Sequence, residues 1–329
     1  MTCRSASILA AAVLVVAPLA NATASSAASP RTTARCAGHK ATIVGTRADD
    51  HLVGTKRRDV IVGRAGDDVI RGLGKDDILC GGPGDDLLIG GGDRKRYIEW
   101  QWFYYGDSLT GGAGNDRIWG DGKRSQSPGV DDVRYRHAPR RIRVRLHHSG
   151  QSADGSVRGH GHDRLHTIGE VHGSRHADTM RSPARGTTLY GGPGADRLSG
   201  RSLYGEHGDD RLIVRSGGAT GGRGDDSISA SGVDLALNGS RGNDTIRSKA
   251  NETSFDGGRG ADRLVAERGH NDFHAGPGAD TVIGGDGPDL VYDARHGDTV
   301  AARRGPDTVH VDAIPHSVGA GPGNDELIA

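Results

Sequence analysis

Aspartate recurs at fixed intervals along this chain. Asp50, Asp59, Asp68, Asp77 and Asp86 stand nine residues apart, and Asp226, Asp244, Asp262, Asp280 and Asp298 follow at eighteen. Glycine crowds the positions before each of the later ones, and an aliphatic residue comes two positions after each of the first five: Leu52, Ile61, Ile70, Leu79 and Leu88. Carboxylates drawn into file repel one another and oppose folding unless a cation lies between them. Carboxylates together with carbonyls bared at glycine turns form an oxygen-only donor set. That set suits a hard ion of calcium's size, whereas magnesium demands a tighter octahedron. Ligation and folding would then be one equilibrium.

Something must hold such carboxylates in register. A nine-residue period smears around a helix, and clustered glycine weakens one. After each aspartate only about three residues suit a strand, as in "DLLI" at Asp86–Ile89, so each unit reads as a tight turn plus a very short strand. One unit cannot bury its single aliphatic side chain. A coil of two units per turn stacks equivalent residues eighteen apart, about 4.8 Å from coil to coil. The expected columns are Ile228, Ile246, Leu264, Val282 and Val300 on one wall, and Leu237, Phe255, Phe273, Val291, Val309 and Leu327 on the other. Composition agrees with a thin core: of 329 residues only 34% are hydrophobic and 4% aromatic, while 55 are glycine. Basic and acidic residues balance at 42 each, which predicts no general attraction to nucleic acid or anionic lipid.

"GGPGDDLLI" at Gly81, "GGAGNDRIW" at Gly111, "GGPGADRLS" at Gly191, "GGRGDDSIS" at Gly221 and "GGRGADRLV" at Gly257 resemble the nonapeptide GGxGxDxUx of hemolysin-type, or RTX, calcium-binding repeats. The resemblance covers about residues 43–122 and 173–329. It implies an all-β fold, a right-handed parallel β-roll solenoid, in which the first six residues of each repeat form a calcium-binding turn and the last three a strand. Several calcium ions are the expected cofactor. The implied metal ligands are Asp59, Asp68, Asp77, Asp86, Asp116, Asp196, Asp226, Asp244, Asp262, Asp280, Asp289, Asp307 and Asp325. The implied loop glycines are Gly81, Gly82 and Gly84; Gly111, Gly112 and Gly114; Gly191, Gly192 and Gly194; Gly221, Gly222 and Gly224; and Gly257, Gly258 and Gly260.

Departures from the repeat carry their own expectations. "ASGVDLALN", "SKANETSFD" and "AERGHNDFH" keep Leu237, Phe255 and Phe273 but lose the loop pattern, so core is retained where ligand is not. From Gly284 the other edge, with Asp289, Asp307 and Asp325, takes over, and the first fades after Asp298. The intervals Asp196 to Asp210 and Asp210 to Asp226, 14 and 16 residues, predict distorted turns between Gly200 and Thr220 and make sites there doubtful. Arginines in the loops, including Arg223, Arg241 and Arg259, weaken calcium affinity. Residues 94–105, "RKRYIEWQWFYY", insert Tyr97, Trp100, Trp102, Phe103, Tyr104 and Tyr105, either as a stacking surface for a sugar or partner or as a cover for the side of the roll. The stretch 123–172 lacks the period and reads as a spacer, although "IRVRL" at Ile142–Leu146 alternates like an antiparallel strand. Its "GHGHDRLH" places His160, His162 and His166 either as zinc ligands or as solvated loop residues. Arg223-Gly224-Asp225 arises from the repeat itself, and Asn251-Glu252-Thr253 fits a glycosylation acceptor.

The N-terminal segment places Arg4 before an apolar run, Ile8 to Leu19, and then Ala22-Thr23-Ala24, which predicts a secretory signal peptide at residues 1–24 and no membrane span. A cap or linker at 25–42, a first roll at 43–122, the spacer at 123–172 and a second roll at 173–329 complete the expected organisation. Cleavage leaves Cys36 and Cys80 in an oxidising compartment, either as a disulfide or as two separate thiols. No G-x-S-x-G elbow or H-E-x-x-H helix occurs, so the expectation is a secreted, extracellular, non-enzymatic calcium-binding protein with a structural, adhesive or binding role. A cell-surface or extracellular glycan or protein is the expected partner class. The alternative is a polysaccharide lyase, epimerase or hydrolase on a β-solenoid, for which Asp131, Asp132 and the spacer histidines are the candidate acids and bases. An ice- or mineral-binding surface is a third option, poorly served by scattered outward threonines.

Overall fold

A computed structural model describes residues 34–328 apart from 93–94, 99–100, 105, 122–129, 150–151, 234 and 313–316; the expected signal peptide lies outside the described residues. Every regular element among them is a β-strand, and no helix is long and apolar enough to cross a membrane. Each regular coil contributes one strand to each of two walls of a single continuous sheet. On one wall Ile43–Val44 pairs in parallel with Val60–Val62, followed by Ile78–Pro83, Ser108–Ala113, Asp132–Arg134, Glu170–His172 and Thr188–Pro193. On the other, His51–Val53 is followed by Val69–Gly74, Leu87–Gly92, Arg117–Asp121 and His162–Ile168.

The core is the space between the walls. Ile61, Leu79, Leu109, Val133, Val171 and Leu189 stack as one fully buried column that continues to Val309. Ile228, Ile246, Leu264, Val282 and Val300 form the facing one. Phe255 and Phe273 stack at 4.6 Å between ring centroids. Leu327 departs from the expected column. It keeps register with Val309 but is 62% exposed, because no described residue packs over the coil it belongs to.

The expected antiparallel strand is Arg143–Ser149, one arm of a hairpin with Ser152–Arg158. The hairpin does not hang off the roll. Ser152–Arg158 pairs antiparallel with His162–Ile168, and Arg143–Ser149 pairs in parallel with Thr179–Arg181, so the insertion is woven into one wall between the two repeat blocks. Alternation explains why it fits: Ile142, Val144 and Leu146 are buried while Arg143 and Arg145 face out, the period-two pattern of a one-sided strand. The aromatic insertion is a second hairpin, Lys95–Ile98 with Gln101–Tyr104, in a sheet of its own; what its aromatic side chains touch lies outside the described residues.

The short intervals around Asp210 are absorbed by long strands, Arg197–His207 and Arg211–Arg223, that run from one wall through the bend into the other with one register shift between Gly200 and Ser202. Cys36 and Cys80 form a disulfide. It ties the leading hairpin, Arg35–Cys36 with His39–Lys40, to the wall strand Ile78–Pro83, with Val60 and Ile78 packed around it.

Candidate metal centre

Each repeat aspartate closes a bend immediately before a wall strand, and its two carboxylate oxygens do different work. Oδ1 accepts the backbone N–H of the equivalent residue one coil earlier. Asp50 donates to Asp68, Asp68 to Asp86, Asp86 to Asp116 and Asp116 to Asp163, at 2.8–3.1 Å. On the opposite edge Asp59 donates to Asp77, Asp77 to Asp107 and Asp107 to Asp131. In the second block one row runs from Asp178 through Asp196, Asp210, Asp226, Asp244, Asp262 and Asp280 to Asp298. Another runs from Asn271 through Asp289 and Asp307 to Asp325. The two rows run along opposite edges and overlap between residues 271 and 298.

Oδ2 is the free hand. In Asp68, Asp77, Asp86, Asp107 and Asp116, and again in Asp196, Asp210, Asp226, Asp244, Asp262, Asp280 and Asp307, this oxygen is buried and accepts no hydrogen bond. A buried carboxylate oxygen with no partner is costly, and its surroundings add a second acceptor rather than a donor. A Cβ placed on Gly81 would overlap Asp86 Oδ2 and come within 2.7 Å of the Gly111 carbonyl oxygen; one on Gly239 would meet Asp244 Oδ2 and the Gly257 carbonyl, the latter at 2.6 Å. Glycine therefore leaves a cradle where a carboxylate oxygen of one coil converges with a carbonyl oxygen of the next. The next two loop glycines follow from backbone geometry. Gly82 (φ 126°) and Gly84 (φ 140°) occupy the left-handed region, packed over the Arg64 and Gly66 carbonyls.

Burial without a partner raises the proton affinity of these groups. It pushes Asp107 up to about 9, with Asp131 adding to the effect, and Asp116 and Asp210 up to about 8. Asp77, Asp86, Asp196, Asp244 and Asp280 rise to about 7 for the same reason, the backbone N–H from the preceding coil pulling the other way. Asp226 rises to about 6, and burial lifts Asp163 and Asp289 to about 6 as well, although Tyr135 pulls the other way for Asp163, as do Asn271 and the Gly285 N–H for Asp289. Each cradle pairs carboxylate and carbonyl oxygen with no nitrogen or sulfur donor. Among the described residues no three His, Cys, Asp or Glu side chains gather into a ligand group, so backbone carbonyls must complete any coordination shell. The donor chemistry fits a hard divalent cation.

The structure separates the expected ligands into two kinds. Asp59 Oδ2 accepts both the backbone N–H and the hydroxyl of Thr55, and Asp289 Oδ2 accepts the Gly285 N–H. Asp50 and Asp178 are likewise occupied, by Thr46 and Ser174. In "GTKRRD" and "GSRHAD" the hydroxyl residue at the second loop position caps the aspartate internally and closes the cradle, whereas in "GSRGND" Ser240 donates to Asn238 instead and Asp244 Oδ2 stays unpartnered. Asp325 joins its row through Oδ1 alone.

Sequence reasoning also missed members. Asp107 belongs to the row because the aromatic hairpin is inserted inside its loop, between Gly90–Gly92 and Asp107, and Gly90 still supplies the cradle. Asp210, in the region expected to be distorted, has the same bond pattern and unpartnered oxygen as its neighbours. Asp163 ends the first row, so "GHGHDRLH" is itself a repeat remnant of the form GxGxDxL. Its His166 stacks on Trp119 at 4.0 Å, and its histidines do not assemble into a ligand set. The fifth loop position, read as variable, carries an exposed second ladder in the opposite sense. Asp85 N–H donates to Asp67 and Asn115 N–H to Asp85, and Asn243 and Ala261 continue it onto Asp225 and Asn243.

Fold and site together define a parallel β-solenoid with carboxylate rows along its bends, a class in which ions and coils share one architecture. The family model described as the RTX calcium-binding nonapeptide repeat (4 copies) matches residues 44–79, 63–94, 104–122, 187–218 and 256–291. The chain carries RTX calcium-binding repeats across these residues. No curated protein matches it.

Proposed function

We propose that the protein is secreted and non-enzymatic, and that its roll folds on several calcium ions outside the cell to serve a structural, adhesive or binding role. The ions would sit at the cradles of Asp68, Asp77, Asp86, Asp107 and Asp116 in the first block. In the second they would sit at Asp196, Asp210, Asp226, Asp244, Asp262, Asp280 and Asp307. One observation carries this reading: at each of these aspartates the same buried carboxylate oxygen lacks a donor, and at cradles such as Gly81 and Gly239 it converges with a carbonyl oxygen of the adjoining coil. A cation there replaces a proton and cements neighbouring coils. Circular dichroism during a calcium titration of the chain without residues 1–24, with magnesium as control, tests it. At pH 8–9, where most of these carboxyls have lost their protons, the expected result is a cooperative gain of strand signal with calcium alone; an equally compact, strand-rich protein in chelator at that pH refutes it.

A second reading has one specific observation in its favour. His172 lies 3.9 Å from Asp132 and 3.7 Å from Glu170 on an outward face and stacks on Tyr190 at 4.3 Å, an acid-base grouping that sequence alone did not bring together. Turnover of uronate polymers, lost in His172→Ala, would support a polysaccharide-acting enzyme; binding without turnover favours the first reading.

A further inference from the structure

The inserted hairpin brings arginines into register across one wall. Along one row Arg117 stands opposite Arg164, then Ser156, then Arg145 opposite Arg181. Along the adjacent row Arg158 stands opposite Arg143, then Thr179, then Arg197 opposite Arg211. All eight side chains are exposed. None makes an ion pair or a side-chain hydrogen bond among the described residues, in contrast to Arg247 lower on the same wall, which holds Glu267 at 2.6 Å. Asp85, on the rim, feels the Arg117 charge.

Like charges directly opposite one another destabilise a sheet, and here four such pairs are adjacent. The chain as a whole has equal numbers of acids and bases, so the cluster is segregation rather than net charge, its carboxylate counterparts being folded into the bends. Arg143 and Arg145 form a ridge between two grooves. One of about 160 Å³ is shared with Ser156 and Arg158, and one of about 660 Å³ with Thr179, Arg181 and Pro183.

We propose that this face docks a linear acidic polysaccharide lying along the solenoid axis. Successive strands offer a guanidinium fork at the sheet spacing of about 4.8 Å, and the planar fork accepts carboxylate or sulfate oxygens two at a time. Single-stranded nucleic acid is the less favoured polyanion, because its binding surfaces interleave basic residues with rings that stack on bases. The bordering ring here, Trp119, is already stacked on His166. This names a partner for the binding role above and rests on that reading.

The test uses the calcium-loaded chain without residues 1–24 and three probes on one backbone: dextran, carboxymethyl-dextran and dextran sulfate, with a single-stranded oligonucleotide for comparison. Both charged dextrans should bind in a salt-dependent manner and neutral dextran should not. Arg143→Gln/Arg145→Gln and Arg197→Gln/Arg211→Gln should each weaken binding by about tenfold or more, while Arg247→Gln/Arg263→Gln changes it little. If a glutamine variant fails to fold, Arg143→Lys/Arg145→Lys keeps the charge, loses the fork and should still weaken binding severalfold. Equal binding of neutral and charged dextran, unchanged affinity in folded variants, or tighter binding of the oligonucleotide than of either charged dextran overturns the proposal. Binding is scored only on protein that circular dichroism shows folded. A roll that forms in chelator would therefore refute the calcium reading and leave the docking measurement intact.

Discussion

Metal-free protein should lose stability as pH rises, the reverse of ordinary acid denaturation. Asp107 is held at about 9, Asp116 and Asp210 at about 8, and Asp77, Asp86, Asp196, Asp244 and Asp280 at about 7, against 3.8 when exposed. A group whose folded value is raised contributes stability in its protonated form. That contribution is complete below about pH 4 and is lost progressively as pH climbs from there to the folded value, about 7 to 9 for these groups. Each tenfold change in proton affinity corresponds to about 1.4 kcal/mol. Discounting most of that for relaxation and water penetration leaves about 1 kcal/mol per aspartate. Eight such groups then reach roughly the 5–15 kcal/mol that holds an ordinary domain together. Calcium reverses the trend, because it binds the ionised carboxylate and competes with the proton, so its apparent affinity rises over the same interval.

Thermal unfolding followed by circular dichroism from pH 5 to pH 9, in metal-free buffer and in excess calcium, measures both limbs. The midpoint should fall steadily with pH in the first series and hold or rise in the second. A metal-free protein most stable at pH 8–9 would show that the buried oxygens are not proton-seeking, and the argument from unpartnered Oδ2 would fail with it.

Asp244→Ala/Asp262→Ala should shift the calcium midpoint severalfold, whereas Ser227→Ala/Thr245→Ala on the outward face of the same wall should leave it in place; calcium titration by circular dichroism separates them. Breaking the Cys36–Cys80 disulfide, which closes a separation of 44 residues, should cost up to about 4 kcal/mol on a chain-entropy reckoning; denaturant unfolding with and without reductant reads it. Phe255→Ala opens a void against Phe273 in the fully buried stack and should cost about 3–5 kcal/mol, with the calcium-loaded midpoint falling accordingly.

The repeat was legible because each coil meets only its neighbours, so a local pattern of glycine, aspartate and aliphatic residue specifies the whole solenoid. Two features were hidden. One is the inner capping of Asp59 by Thr55, visible only once the turn is closed, though threonine at a glycine position was its trace. The other is membership across insertions: Asp107 and Asp163 fall off the nine-residue period, so the spacing that marks the other members does not mark them.

The same nearest-neighbour logic explains why insertions are tolerated. Asp86 and Asp116 are separated by 30 residues, and Asp116 and Asp163 by 47, yet the N–H to Oδ1 bonds between coils are 2.9 and 3.1 Å, close to the 2.8 Å found at the regular separation of 18. Extra chain leaves at a bend and returns to it, and the wall strands resume their stacking. The hairpin at residues 143–158 is the exception, because it enters the wall itself. There the nearest row partner of Asp178 on the preceding coil is the backbone N–H of Ile142, which still donates to Asp178 Oδ1 at 2.7 Å. The row therefore requires only a properly placed amide from the coil before, whatever side chain that residue carries, while the unpartnered oxygen goes with a small first loop residue, glycine in most coils and Ala275 or Ala302 before Asp280 and Asp307. Stacking and ion binding thus draw on different atoms of one carboxylate, and this lets degenerate coils with closed or absent cradles remain part of the roll.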